Sequence, residues 1–165
     1  MIVFVLLVLG AVMRLVWHPA NFTPVLALVL FGGVYFDRKY AMLFPLCLMM
    51  ATDMMLGLHD MILFTWGSMV LVSFLGLWLR KSYSWPRLGL VSITSAVLFY
   101  VVTNFGVWLS GYYPMNLKGL VDCYVLAIPF FRTMLLSTLV YSFVVFGLYE
   151  MVASRVRKTV YANAL

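Results

Sequence analysis

The stretch Arg14-Leu-Val-Trp-His-Pro-Ala-Asn-Phe-Thr-Pro24 lies between two apolar runs and sets a guanidinium, an imidazole, an amide and two prolines into one short hinge. Polar and helix-breaking residues are costly in or against lipid, so a cluster of them in a hydrocarbon-rich chain marks a site with a structural or binding task. The hinge ends in Thr23-Pro24, a residue pair suited to starting a helix, with Thr as a cap and Pro at the first helical position. The run that follows, 24–36, is short for a membrane span. Residues 18–23 are therefore expected to enter the membrane boundary, where non-helical backbone is either buried in protein or lines a wet cavity.

The rest of the chain fixes the solvent. It has 165 residues, of which 65% are hydrophobic and 10% charged, and its mean hydropathy is +1.07. Soluble domains carry about 25% charged residues, and no soluble fold of this size hides so much apolar surface. The reading is an all-α integral membrane protein, a single domain over 1–165. It has six spans at about 1–17, 24–36, 40–56, 61–79, 88–109 and 130–151, and a short extra helix (about 119–128) that Pro129 separates from the last span. The first run has no basic leader and no clear cleavage site, so it reads as a retained helix.

Basic residues set the orientation. Arg38, Lys39, Arg80, Lys81, Arg87, Arg155, Arg157 and Lys158 follow spans two, four and six. Only Lys118 and the span-end residues Arg14 and Arg132 fall on the other side. Eight against three places both termini in the cytoplasm by the positive-inside rule. This pattern accounts for the +6 net charge without nucleic acid.

Topology then converts position into depth. Asp53 is 13 residues beyond Tyr40, about 20 Å along an outward-running helix, and so sits in the outer third of a roughly 30 Å core. Asn104 and Trp108 fall at the same level, Arg132 lies one turn into the last span, and His18, Asn21, His59, Tyr112, Tyr113 and Asn116 belong to outer loops. The expected ligand-binding set is Arg14, His18, Asn21, Asp53, Asn104, Trp108 and Arg132. Structural readings stand beside it. Asp53 neutralises Arg14 or Arg132, Asn104 makes an interhelical hydrogen bond, His18 fixes the hinge, and Tyr112-Tyr113 anchors the interface. Arg14, Arg132 and the helix start at Thr23-Pro24 favour a carboxylate- or phosphate-bearing ligand. No cofactor or metal is expected: Cys47 and Cys123 fall at different depths, form no disulfide and share no metal spacing with histidine. No nucleotide-binding or hydrolase motif occurs, which speaks against an enzyme.

The strings Arg-x3-His-Pro-x-Asn-Phe-Thr-Pro (14–24), Leu-Phe-Gly-Gly-x-Tyr-Phe (30–36), Thr-Asn-Phe-Gly-Val-Trp (103–108) and Ile-Pro-Phe-Phe-Arg (128–132) resemble a family of small bacterial integral membrane proteins without an assigned function. The layout is similar to the substrate-binding S components of energy-coupling factor (ECF) transporters. That resemblance implies six spans in the bacterial inner membrane and outer loops, here 18–23, 57–60 and 110–118, that close a vitamin-binding cavity. It also implies a transmembrane coupling protein and ATPases as partners. The first helix offers Gly10-Ala11 where S components often carry Ala-x3-Ala for docking, and the vitamin-specific residues of that family have no counterpart here. The expected function is capture of a vitamin-like micronutrient. The alternatives are an accessory subunit of a larger membrane complex binding lipid or pigment, and a lipid-modifying enzyme using Asp53 with His18 or His59. Orientation is testable directly: a cysteine placed at Lys81 should resist labelling from outside the cell, and labelling there would reverse the topology.

Overall fold

The segment Val-Leu-Ala-Leu-Val-Leu-Phe-Gly-Gly-Val-Tyr is apolar on every face, and a helix of that kind is stable only when surrounded. It forms helix α1 (Val25–Tyr35), with Val25 to Val34 all buried. The computed structural model describes residues 8, 10, 12–15, 21–57 and 60–162. After α1 come α2 (Arg38–Leu56), α3 (Ile62–Arg80), α4 (Trp85–Leu109) and α5 (Leu117–Ala162). Residues 12–15 are also helical, and no strand occurs among the described residues. Trp17, His18 and His59, like most of the expected first span, lie outside the described residues.

By length and composition α2, α3, α4 and the 117–155 part of α5 are able to cross a membrane. Helix α1 is not: its 11 residues rise about 16 Å, half of a roughly 30 Å core. The expected Thr23 cap is absent. Pro24 is the N-cap residue, with no side-chain cap bond, and its carbonyl accepts from the Leu28 N–H at 2.9 Å. Ser84 is the working cap of α4, accepting from the Arg87 N–H. With Pro86 in the first turn, α4 starts three residues before the expected Leu88.

Glycine sets how closely α1 meets α3. A Cβ on Gly33 would lie 2.7 Å from the Cα of Gly76, and one on Gly76 would lie 2.9 Å from the Leu30 carbonyl oxygen. The two backbones touch because neither residue has a side chain. Against α5, Phe31 meets the Phe146 and Tyr149 rings at 5.3 Å, both edge-on. The Tyr35 hydroxyl donates to Glu150 at 2.8 Å, and Arg80 donates to the Phe36 carbonyl at 2.7 Å, satisfying an acceptor at the C-terminal end of α1. These contacts gather Arg38, Arg80, Lys81 and Arg87 at one end of the bundle, around the 36–37 and 81–84 turns. The turn before α3 and the 110–116 loop make the other end, where Tyr112 donates to Asp60 at 3.4 Å.

The expected break at Pro129 is overturned as well. Pro129 does not separate a short helix from the last span; Leu117–Ala162 is a single helix of 46 residues with Pro129 inside it. Proline in a helix interior costs about 3 kcal/mol, and the segment before it is held by three bonds to α4. The Tyr100 hydroxyl donates to the Tyr124 carbonyl, the Tyr124 hydroxyl to the Val101 carbonyl, and the Cys123 thiol to the Asn104 carbonyl. Cys47 and Cys123 are both free.

Large apolar side chains fill the core and also cover the outward faces of the helices. On α4 the buried face carries Val91, Ser92, Ser95, Ala96 and Gly106, while Leu90, Ile93, Val97, Val101 and Phe105 face outward. On α5, Ser137, Thr138 and Ser142 are buried and Leu136, Val140 and Val144 are exposed. Small and hydroxyl-bearing residues between helices with large apolar residues outside is the pattern lipid selects.

The glycine contact gives a matched test. Gly33→Ala and Gly76→Ala should each lower stability by about 1–3 kcal/mol in denaturant unfolding of the detergent-solubilised protein. Gly67→Ala, whose Cβ meets nothing within 4 Å, should leave stability unchanged or raise it.

Candidate ligand cavity

Because α1 is short, the chain entering it runs through the end of the bundle rather than past it. There it forms one wall of a cavity of about 480 Å³, within the usual size of small-molecule sites. Asn21, Thr23 and Val25 line that wall, with Arg14 beside them. Met49 and Leu56 of α2 and Thr65 and Met69 of α3 line two others. Helix α4 presents Phe99, Tyr100, Thr103, Asn104 and Val107, spaced as one helical stripe. Helix α5 presents Ala127, Phe130, Phe131 and Met134 in the same periodicity.

Asn21 explains its own residue type. Its φ is 62°, the left-handed region that asparagine tolerates better than most residues. That turn sets its carbonyl 3.2 Å from the Ser137 hydroxyl of α5, which also lies 2.9 Å from the Met134 carbonyl, so one proton is shared between two acceptors. Hinge and helix are thus joined through backbone.

At the cavity wall Arg14 and Asp53 form a salt bridge. The Arg14 Nη2 lies 2.6 Å from Asp53 Oδ1, and Nη1 donates to the Thr52 hydroxyl. The Trp66 indole N–H donates to Asp53 Oδ2 at 2.8 Å. The carboxylate is 2% exposed, so each of its oxygens has a donor where water cannot supply one. Asp53 sits in the last turn of α2, its carbonyl accepting from the Gly57 N–H. A carboxylate there opposes the helix dipole, which makes the guanidinium all the more necessary. Of the two partners the sequence allowed, Asp53 takes Arg14.

Asn104 lines the cavity and spends one amide N–H on the Tyr100 carbonyl at 2.8 Å. Trp108 and Arg132 are not cavity-lining. The Trp108 indole donates to the Pro114 carbonyl at 3.1 Å and holds the 110–116 loop. Arg132 is exposed. Its neighbours Phe131 and Met134 face the cavity, and a rotation of about 100° per residue turns Arg132 away from them. His18 lies outside the described residues. Trp66 and Thr52 were missed by sequence reasoning. Trp66 lies just after the turn that Asp53 lies just before, so counting depth on both sides of the turn would have paired them.

At the opposite end a second hollow is lined by Asp37, Arg38, Leu77, Arg80 and Lys81. Near it, burial and secondarily the Glu150 charge push the Tyr83 phenol above its ordinary pKa, so it stays neutral. Among the described residues no cluster of three metal-ligating side chains occurs.

Four helices able to cross a membrane, packed around a buried fifth and holding a half-open cavity at one end, define the class: a small helical protein with a ligand-sized hollow. The chain belongs to a family of unknown function (DUF6580), whose model matches residues 1–160. No curated protein and no solved structure matches it.

The Arg14–Asp53 pair makes a distinctive prediction. Removing one partner of a buried ion pair strands the other, at about 3–5 kcal/mol, whereas replacing both with apolar side chains is often neutral. Arg14→Met/Asp53→Leu should therefore unfold at a higher denaturant concentration than Asp53→Leu alone.

Proposed function

We propose that this protein is a multi-pass subunit of the bacterial inner membrane that captures a small molecule from outside the cell. It would then deliver its ligand to an ATP-driven uptake machine of the energy-coupling factor kind. The observation that carries the reading is the cavity itself: five separate segments converge on about 480 Å³ at the end of the bundle away from the basic turns. With the basic end in the cytoplasm, the cavity opens outward. A binding subunit needs a hollow of this kind, largely apolar with a few placed polar groups. The chain carries no nucleotide motif, so the driving ATPases and the transmembrane coupling protein would be partner chains. The bundle would present the cavity alternately to the two sides by moving as a body within lipid.

A second reading has its own observation. The Arg14–Asp53–Trp66 cluster is satisfied from within the chain, as an internal brace would be, and suits an accessory subunit of a larger membrane complex. The two are separated by one experiment. Thermal-shift screening of the purified protein against vitamins and their precursors should find a stabilising compound whose effect Asn104→Ala reduces at least five-fold. Capture is rejected if no compound shifts the wild type. Stable co-purification with a large complex lacking such ATPases would favour the accessory role.

A further inference from the structure

The sequence pointed to an anionic ligand because two arginines and the helix start at Thr23-Pro24 lay at the level of the cavity. The geometry removes both arginines and leaves the α1 N-terminus, a partial positive charge rather than a full counter-charge. Arg132 faces away, exposed on another side of α5. Arg14 is the one described lining residue charged at neutral pH, and its guanidinium is already held by Asp53 and Thr52. The far oxygen of Asp53 is held by Trp66. The pair is neutral as a unit and its bonds are internal. A ligand carrying a net charge would give up water in this site and find no opposite charge left over, at a cost of several kcal/mol.

The walls favour a flat ring. Met49, Met61, Met69 and Met134 bring four thioethers to the cavity, and Phe99 and Phe131 bring aromatic faces. Thioethers are polarizable and adaptable, and they make favourable contacts with aromatic edges; ring on ring adds further attraction beyond area. The polar lining is Asn21 and Thr23 on the hinge wall with Thr65, Tyr100, Thr103 and Asn104 on the helices, and it is partly spent. The Thr65 and Thr103 hydroxyls donate to the Met61 and Phe99 carbonyls, one turn back on the chain, which leaves them as acceptors. Asn104 gives one N–H to Tyr100. Its second N–H and its carbonyl oxygen remain, one donor beside one acceptor.

We infer that the cavity takes a neutral, planar aromatic compound with an amide-like edge, a donor beside an acceptor, read by Asn104 between the methionine and phenylalanine walls. This rests on the cavity being a capture site, and it adds the chemical class of what is captured.

The test uses the full-length protein in nanodiscs at neutral pH and three probes: naphthalene-2-carboxamide, the matching naphthalene-2-carboxylate, and decanamide. The carboxamide should bind at least ten-fold tighter than either of the others, and Asn104→Leu should weaken it at least five-fold. Asp53→Asn leaves Arg14 uncompensated and should reverse the order, the carboxylate then binding tighter than the carboxamide. The wild-type ratios carry the test if that variant does not fold. Carboxylate binding as tight as carboxamide in the wild type would overturn the neutral class, and equal binding of decanamide would overturn the aromatic one. A folded Asp53→Asn protein that keeps the wild-type order would overturn the charge argument. If none of the probes binds but a compound from the broader screen does, the class is wrong and capture stands. If nothing binds in either experiment, both are wrong.

Discussion

Helix α1 is too short. Eleven residues reach about 16 Å, and the helix is enclosed by the others along its length. The remaining depth on the cavity side is filled by the chain that leads into it. Backbone without helical hydrogen bonds is tolerated at membrane depth only when protein or a wet cavity surrounds it, and here Asn21 and Thr23 border both protein and the cavity. Asn21 is tied to α5 through its carbonyl, while Thr23 lines the hollow. The cavity therefore follows from α1 being buried and short, and α1 can be buried only because Gly33 and Gly76 let its backbone meet that of α3.

The charged pair follows from the same geometry. Bringing the hinge into the bundle places Arg14 beside the last turn of α2, where Asp53 would otherwise sit unpaired against the negative end of a helix. Thr52 and Trp66 complete the shell. The result anchors the residues before the hinge to α2 and α3 and leaves the adjoining wall electrically balanced. A pair of this kind contributes little net stability but a large penalty when half of it is removed. It fixes where the segment sits more than how tightly the bundle holds together.

The surface is consistent with the interior. Large apolar side chains cover the outward faces of α4 and α5, while serine, threonine, alanine and glycine lie between helices. In water this arrangement would be unstable; in lipid, close packing and hydrogen bonding drive association. The buried hydroxyls mostly bond to carbonyls of their own helices, as Ser73, Ser95 and Thr138 do. Those that do so keep their polarity satisfied while allowing near approach; the buried Ser92 and Ser142 hydroxyls have no such partner.

Composition and charge pattern alone determined much. The apolar runs made the fold all-helical, Asp53 inside an apolar run called for a partner, and 24–36 read as too short for a span, as the 11 residues of α1 are. These are local or summed quantities, which depend on residue type and spacing rather than on neighbours in space. Tertiary structure decided the rest. Pro129 reads as a helix break, but bonds from Tyr100, Tyr124 and Cys123 hold the helix through it. Thr23 reads as a cap and becomes a cavity wall. Arg132 reads at the right depth but has the wrong helical phase, because depth follows from counting along one helix while facing follows from how two helices pack. The pairing of Arg14 with Asp53 and Trp66 is of the same kind. It left the hinge as one wall of a cavity whose guanidinium is already held by a carboxylate, which residue type and spacing do not reveal.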